Sequence, residues 1–356
     1  MSEDSPPRPR AARRVAAVLG ALLLLAAGAA ALLALRLSRW VRAPFGAAGE
    51  RVVEIPPGAT IAEVAQGLAG EGVVSDGERF FLYERLRHAG RKLKHGEYGF
   101  TLPMSPEQVL DHLLSGKVKT YKVTVPEGLR MDQIAPLFAE VGVASGVALL
   151  SAMKDAGLMK KLGVPAVNAE GFLFPDTYVL PKGRAPAQIV AEMVAHFRGA
   201  YEKARAEPGA DLSLGELRTV TLASIIEKET GAPAERPRIS CVFRNRLRRG
   251  MKLQTDPTVI YAMLLAEGHF DGDLTKKMLL TPHPYNTYTV YGLPPGPIAN
   301  PGLAALEAAF HPAPCRDLYF VAKGDGTHAF CPTLVCHNQN VERYQIAPFE
   351  RAHARR

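Results

Sequence analysis

The 356-residue chain carries 43 Lys and Arg against 35 Asp and Glu, a formal charge of +8. That length holds two or three domains with a sizeable core. The charge predicts an anionic neighbourhood, of lipid or cell-wall polymer rather than nucleic acid, since no RNP, zinc-finger or helix-turn-helix signature is present. Four scattered cysteines, Cys241, Cys315, Cys331 and Cys336, exclude a disulfide-dense scaffold, and the lack of a CxxC pair argues against structural zinc.

Residues 1–14 are polar and basic (Arg8, Arg10, Arg13, Arg14) and are expected to form a disordered tail. Residues 15–36 read as a transmembrane helix, in which Val15–Leu35 is an uncharged run of Ala, Leu, Val and Gly, long enough to span a bilayer at about 1.5 Å per residue. The cationic flank places the N-terminus in the cytoplasm and the rest outside. The rival reading is a cleaved signal peptide. The run exceeds the usual apolar core of such peptides, and Arg36, Arg39, Trp40 and Arg42 read as an interfacial anchor. Residues 37–50, and Ala43–Glu50 in particular, read as a linker.

Residues 51–118 read as a small α/β module. Val52, Val53 and Ile55 make a strand, Pro56-Pro57-Gly58 turns it, and Thr60–Leu68 and Asp76–Ala89 are helical. Gly96–Phe100 is a returning strand, and Ser105-Pro106-Glu107 starts a helix with Ser as cap and Pro at its first position. The pattern Val53-x-Ile55-Pro56-x-Gly58 recurs as Val123-x-Val125-Pro126-x-Gly128. The match continues through Ile61/Met131, Val64/Ile134, Leu68/Phe138 and Gly72-Val73/Gly142-Val143. A strand–turn–helix unit is duplicated, and its second copy leads into a larger mixed α+β domain over residues 119–346. Residues 347–356 form a basic tail.

Within that domain Val147–Gly163 and Pro186–Glu207 read as helical. In Glu170–Leu180, Phe172, Phe174 and Tyr178 are either strand core or the wall of a sugar groove. Asp317–Ala322 and Gly326–Phe330 form a hairpin turned at Lys323-Gly324-Asp325-Gly326. The chemistry concentrates in Leu222–Tyr261. There Leu222, Ile225 and Ile226 form an apolar stripe at about 100° per residue, and Glu229 falls near its centre while Glu227 points to the other side. A carboxyl on an apolar face is costly to ionise, so its pKa rises toward that of a general acid. The bland alternative is a carboxylate neutralised by Arg236 or Arg244. Ala234–Arg248 is a second helix, with Arg246, Arg248 and Arg249 as a basic, solvated edge and Gly250 as its stop. Asp256 reads as either an N-cap or a ligand contact, and Gly292–Gly302 as a rigid Pro-rich loop wall.

The blocks IIEKET (Ile225–Thr230), VFRNRL (Val242–Leu247), MKLQTDPTVIY (Met251–Tyr261), YNTY (Tyr285–Tyr288), GLPPGPIANPG (Gly292–Gly302) and LYFVA (Leu318–Ala322), with EGFLFPDTY upstream, closely resemble the endolytic murein transglycosylase family, the MltG or YceG-like proteins. The likeness spans roughly Val52 to Tyr344. It implies that residues 51–118 are a LysM-like module and residues 119–346 the catalytic transglycosylase domain. It further implies a lytic transglycosylase in which one glutamate protonates the oxygen between N-acetylmuramic acid and N-acetylglucosamine. That glutamate then takes the proton of the muramic 6-hydroxyl as it attacks the anomeric carbon, leaving a 1,6-anhydro end. Glu229 is expected in that role, with Glu227 as runner-up. Glu227, Asn245, Gln254, Thr255, Asp256, Asn286 and Tyr288 are expected to contact or support substrate. No cofactor or metal is expected, since the histidines show no HExxH spacing. Expected partners are peptidoglycan glycan strands, the inner membrane through one helix, and cell-wall synthases, where cleavage would terminate nascent strands; nucleic acid is not among them. The alternatives are a non-catalytic, membrane-tethered peptidoglycan-binding scaffold, or a hydrolysing muramidase with Asp256 or Glu170 as second carboxylate. Two of the cysteines are expected to pair if the domain faces an oxidising compartment.

Overall fold

A computed structural model describes residues 10–88 and 93–347. The chain divides into two compact units, Met1–Thr120 and Tyr121–Arg356.

The first unit opens with α1 (Arg10–Arg42). Its helical start at Arg10 falls inside the stretch expected to be disordered, because Ala- and Leu-rich sequence propagates the helix toward the terminus. Residues 1–9 of that tail, like 348–356 of the C-terminal one, lie outside the described residues. From Arg14 to Arg42 the helix is long and apolar enough to cross a membrane, and its Val15, Leu19, Leu22 to Leu25 and Leu33 are bare. Such a continuous exposed apolar surface suits lipid better than water. Only its last turns, with Leu37, Trp40 and Val41, join the core of the unit, and Trp40 Nε1 donates to Ser75 Oγ at 2.9 Å.

There is no linker after α1. Strand β1 (Phe45–Ile55) begins almost at once and pairs antiparallel with β2 (Gly96–Met104), Val53 opposite Tyr98 and Ile55 opposite Gly96. The register shifts between Phe45 and Gly49, and that irregularity lets a Gly- and Ala-rich run act as strand. Between the strands lie α2 (Ile61–Gly70) and α3 (Gly77–Arg87); α4 (Pro106–Leu114) follows. The predicted last residue of α3, Ala89, lies outside the described residues. Thr60 and Glu63 close a capping box on α2, and Ser105 with Gln108 does the same for α4, so four orphan backbone donors are satisfied by side chains. Val53, Ile55, Leu68, Phe80, Tyr98, Phe100 and Leu110 form the core.

The second unit takes up the same pattern. β3 (Thr120–Thr124) runs into α5 (Met131–Glu140), then α6 (Gly146–Met153) and α7 (Ala156–Lys161) lead to β4 (Thr177–Pro181), which pairs with β3. Phe172 and Tyr178 are fully buried in this core, so they are packing groups rather than a sugar-binding wall. Next come α8 (Pro186–Ala206), α9 (Glu216–Glu229), a single 3-10 turn at Pro233–Glu235, α10 (Arg236–Arg248), α11 (Asp256–Glu267), α12 (Lys276–Leu280) and α13 (Leu303–Phe310). The hairpin β5 (Tyr319–Ala322) and β6 (His328–Cys331) follows, then α14 (Leu334–Val341) with a π-helical turn at Glu342–Ile346. All four cysteines pair: Cys241–Cys315 ties α10 to the approach to β5, and Cys331–Cys336 ties β6 to α14.

Candidate active site

Helix α9 is buried on every face from Thr219 to Ile226. Its two C-terminal glutamates therefore differ in their neighbours, not in core against solvent as a simple apolar stripe predicts. The Glu227 side chain, 6% exposed, accepts from Arg236 Nη2 at 2.8 Å and from the Gly302 N–H at 3.0 Å. It clasps α9 to the start of α10 and to the loop before α13, and it does not reach the cleft.

Glu229 lines a cleft of about 460 Å³ together with Arg246, Gln254, Asp256, Tyr288, Tyr319 and His328. Thr255 Oγ1 donates to Glu229 Oε2 at 2.6 Å. Burial pushes the Glu229 carboxyl up to about 7; the Thr255 hydrogen bond opposes this, the Asp256 charge adds to it, and His328 and Arg246 pull down. The group therefore exchanges a proton near neutrality, which is what an acid that must later act as base requires.

The bend between α10 and α11 supplies three neighbours in a row. Gln254 sits at φ 46°, a left-handed conformation that costs a non-glycine residue about 1 kcal/mol or more, and its N–H donates to Thr287 O at 3.2 Å. The bend is thus held by a second loop. Thr255 takes the cap position of α11, and its N–H donates to Thr287 Oγ1 at 3.1 Å. Asp256 is the first helical residue rather than the cap, and its Oδ1 accepts from Tyr288 OH at 2.6 Å. That bond and burial push the Tyr288 phenol above its ordinary range. Gln254, Thr255, Asp256 and Tyr288 thus converge around Glu229.

Asn245 and Asn286 do not. Asn245 Nδ2 donates to Asp317 O at 2.9 Å and to Cys315 O at 3.3 Å, fastening the approach to β5 onto α10. Asn286 is fully buried, and its Nδ2 donates to the carbonyls of Met278, Leu279 and Thr281 at 3.1, 3.1 and 2.8 Å. They cluster at the end of α12, where Met278 O also accepts from the Thr281 N–H at 3.2 Å, and the two amide hydrogens are shared among them. Both asparagines are scaffold. Glu170 is also remote from the cleft, which leaves Asp256 as the second carboxylate there.

Several cleft residues escaped the sequence reading. Arg246 is 7% exposed, not part of a solvated edge: its Nε donates to Leu318 O and its Nη1 to Leu253 O, each at 2.6 Å, and its guanidinium lies 5.2 Å from the Tyr319 ring centre. Its position one turn beyond Val242 and Phe243 carried that signal, since those residues face the core. His328 shares a hydrogen bond of 2.7 Å between Nδ1 and Glu235 Oε2, while its N–H donates to Glu235 Oε1 at 2.9 Å. Tyr319, Phe320, His328 and His337 arrive through the β5–β6 hairpin and α14, far along the chain, and no local signal marks them. Among the described residues no group of three or more His, Cys, Asp or Glu is placed to hold a metal ion.

The family model of the YceG-like family matches residues 53–343. The chain belongs to the YceG-like family. This YceG-like chain is 32% identical over 308 residues to the endolytic murein transglycosylase of Bacillus subtilis, covering 82% of this chain and 84% of that protein. It is 28% identical over 339 residues to the protein of the same name from Streptococcus pneumoniae strain D39, spanning 58% of that longer relative. A crystal structure of a YceG-like protein from Listeria monocytogenes superposes with a TM-score of 0.53 at 31% identity, covering 82% of this chain and 99% of that one.

Proposed function

We propose that this protein is a membrane-tethered endolytic lytic transglycosylase. It cleaves the bond between N-acetylmuramic acid and N-acetylglucosamine in nascent glycan strands and leaves a 1,6-anhydro end. The observation that carries the reading is Glu229: a carboxyl buried enough to hold a proton at neutral pH, yet lining an open cleft. Protonated Glu229 gives its proton to the glycosidic oxygen as the C1–O bond breaks. The resulting carboxylate is stabilised by the Thr255 hydroxyl and by the fixed charge of Arg246. It then accepts the proton of the muramic 6-hydroxyl as that oxygen bonds to C1, which restores the acid without consuming water. One carboxyl serves both duties because they come in succession.

The names of the relatives support the substrate and the lyase chemistry. α1 supports anchoring in the inner membrane, and the basic residues on the N-terminal side of its apolar run support a cytoplasmic N-terminus. Two disulfides support a catalytic domain on the oxidising, extracytoplasmic side. The β1–α2–α3–β2 order supports a LysM-like first module. Termination of strands beside cell-wall synthases follows from endolytic cutting of nascent glycan.

The test is digestion of purified sacculi by the protein, with products read by mass. Anhydro-muramic ends are expected, and they vanish with Glu229→Gln. Asp256 lines the same cleft and favours one second reading, a hydrolase in which Asp256 directs water; reducing ends would establish it instead.

A further inference from the structure

The duplication runs further than the sequence match. The order β1–α2–α3–β2–α4 is repeated as β3–α5–α6–β4–α8, with α7 inserted before β4. Gly58 and Gly128 hold their turns at φ +79° and +75°. Gly72 and Gly142 follow the first helices at φ +70° and +73°, and the next residue of each, Val73 or Val143, donates back to Leu68 O at 2.8 Å or Phe138 O at 3.0 Å. Tyr98 and Tyr178 each donate to a carbonyl four residues earlier, Lys94 O at 3.0 Å and Phe174 O at 2.6 Å. Pro106 and Pro186 each open the closing helix.

Besides the inserted α7, the copies differ at the turn after the first strand. In the second, the turn is covered. The Gly128 N–H donates to Asn300 O at 2.9 Å, and Leu129 O accepts from both the N–H and the Nδ2 of Asn300 at 2.9 Å. The segment Ile298-Ala299-Asn300-Pro301-Gly302 is buried along its whole length there. In the first copy the equivalent turn is bare. Gly58 is exposed, and among the described residues neither its N–H nor the Ala59 carbonyl has a partner. Beside it opens a cavity of about 460 Å³ floored by Val53, Ile55 and Val64. Its rim carries Glu54 and Glu63, where the second copy has Thr124 and Gln133.

We propose that the Gly58–Ala59 turn docks an extended segment of a partner protein, laid across it as Ile298–Gly302 lies across Gly128–Leu129. Two main-chain hydrogen bonds fix such a segment as they fix an added strand, and the apolar floor takes one of its side chains. The acidic rim selects a segment that carries lysine or arginine and disfavours ligands rich in carboxylates. This docking is independent of the chemistry at Glu229.

The probe is a fluorescein-labelled heptapeptide, Lys-Ile-Ala-Asn-Pro-Gly-Lys, titrated by anisotropy against the full chain in detergent micelles. Saturable binding is expected, weakened at least tenfold by Ala59→Trp, which fills the cavity, and by Glu54→Lys, which reverses the rim. N-methylation of the peptide's asparagine should abolish it, and Glu229→Gln should leave it unchanged. Circular dichroism checks that both variants fold. Equal binding by folded variants, no saturable binding, or binding of an N-acetylglucosamine oligomer at this turn in place of the peptide would overturn the proposal.

Discussion

Glu170 is a buried and Glu229 a half-buried residue of the second unit, and desolvation of the carboxyl pushes both above the ordinary range, to about 8 and about 7. Their surroundings differ in what is left over. Glu170 Oε1 accepts from the Met131 N–H at 3.2 Å and from Asn300 Nδ2 at 3.0 Å, while Oε2 faces Tyr261 OH at 3.4 Å. All its neighbours belong to the scaffold. Glu229 is held through one oxygen by Thr255, and among the described residues its Oε1 has no partner. A raised proton affinity is therefore shared by a structural clasp and the group proposed to react; an unengaged oxygen in an open cleft separates them.

The largest expected effect comes from testing that separation directly. Glu229→Gln should lower the rate of anhydro product formation by about 10²–10⁴-fold, the usual worth of a positioned acid–base group, with melting unchanged or improved. Glu170→Gln should keep near-normal activity. Equal losses in the two, read by mass of released fragments, would erase the distinction. Glu227 marks the other side of the same helix. Glu227→Ala leaves Arg236 with only the looser Glu127 contact at 3.8 Å, and a broken buried pair costs about 3–5 kcal/mol. Denaturant melting should show that loss as a lowered midpoint.

Next comes the stability carried by Glu170. Glu170→Ala removes the acceptor of three buried donors, of which Asn300 Nδ2 keeps Leu129 O, and should cost about 2–4 kcal/mol, whereas Glu170→Gln keeps an acceptor for Met131. The pH dependence has a fixed sign. The folded state holds the Glu170 proton up to about 8, while the unfolded chain releases it near the ordinary glutamate value of 4.5. Between those values the folded state binds more protons, so stability falls as pH rises through that window and levels off above it. Glu229 contributes the same trend up to about 7. Thermal melts at pH 5 and pH 9 should differ less in Glu170→Gln than in the parent; an unchanged difference would show that Glu170 is ionised in the fold.

The residues that sequence could place and those it could not differ by how far they travel. Gln254, Thr255 and Asp256 are contiguous at a helix start, so local chemistry marks them; Glu229 closes α9, whose burial on every face left helical phase unable to separate it from Glu227. Asn245 and Asn286 carry the right groups for a sugar, but their donors are consumed by backbone carbonyls, which only tertiary packing reveals. Arg246 was legible in helical phase and obscured by the neighbouring Arg248 and Arg249. Tyr319 and His328 enter through hairpin pairing and His337 through the packing of α14, non-local events with no periodic trace. The repeat was legible where Pro and Gly fix the turn. It faded where insertions stretch the offset from seventy residues, Val53 to Val123, to eighty, Tyr98 to Tyr178.

The smallest effect is also the most specific to the Glu229 side of the comparison. Thr255→Val removes the one hydrogen bond that, among the described residues, favours the Glu229 carboxylate, and keeps the side-chain volume. Without it the carboxyl holds its proton more tightly, so the alkaline limb of the pH–rate profile should move upward. The acid step then persists to higher pH. The base step, which needs the carboxylate to accept the 6-hydroxyl proton, loses a stabilising donor, and the maximal rate should drop by about tenfold, equivalent to about 1.4 kcal/mol. A lowered rate with no movement of the limb would mean that Thr255 shapes the cleft without touching the proton. A limb that moves downward would mean that the hydrogen bond favours the protonated acid, and the carboxylate-stabilising role given to Thr255 would fall.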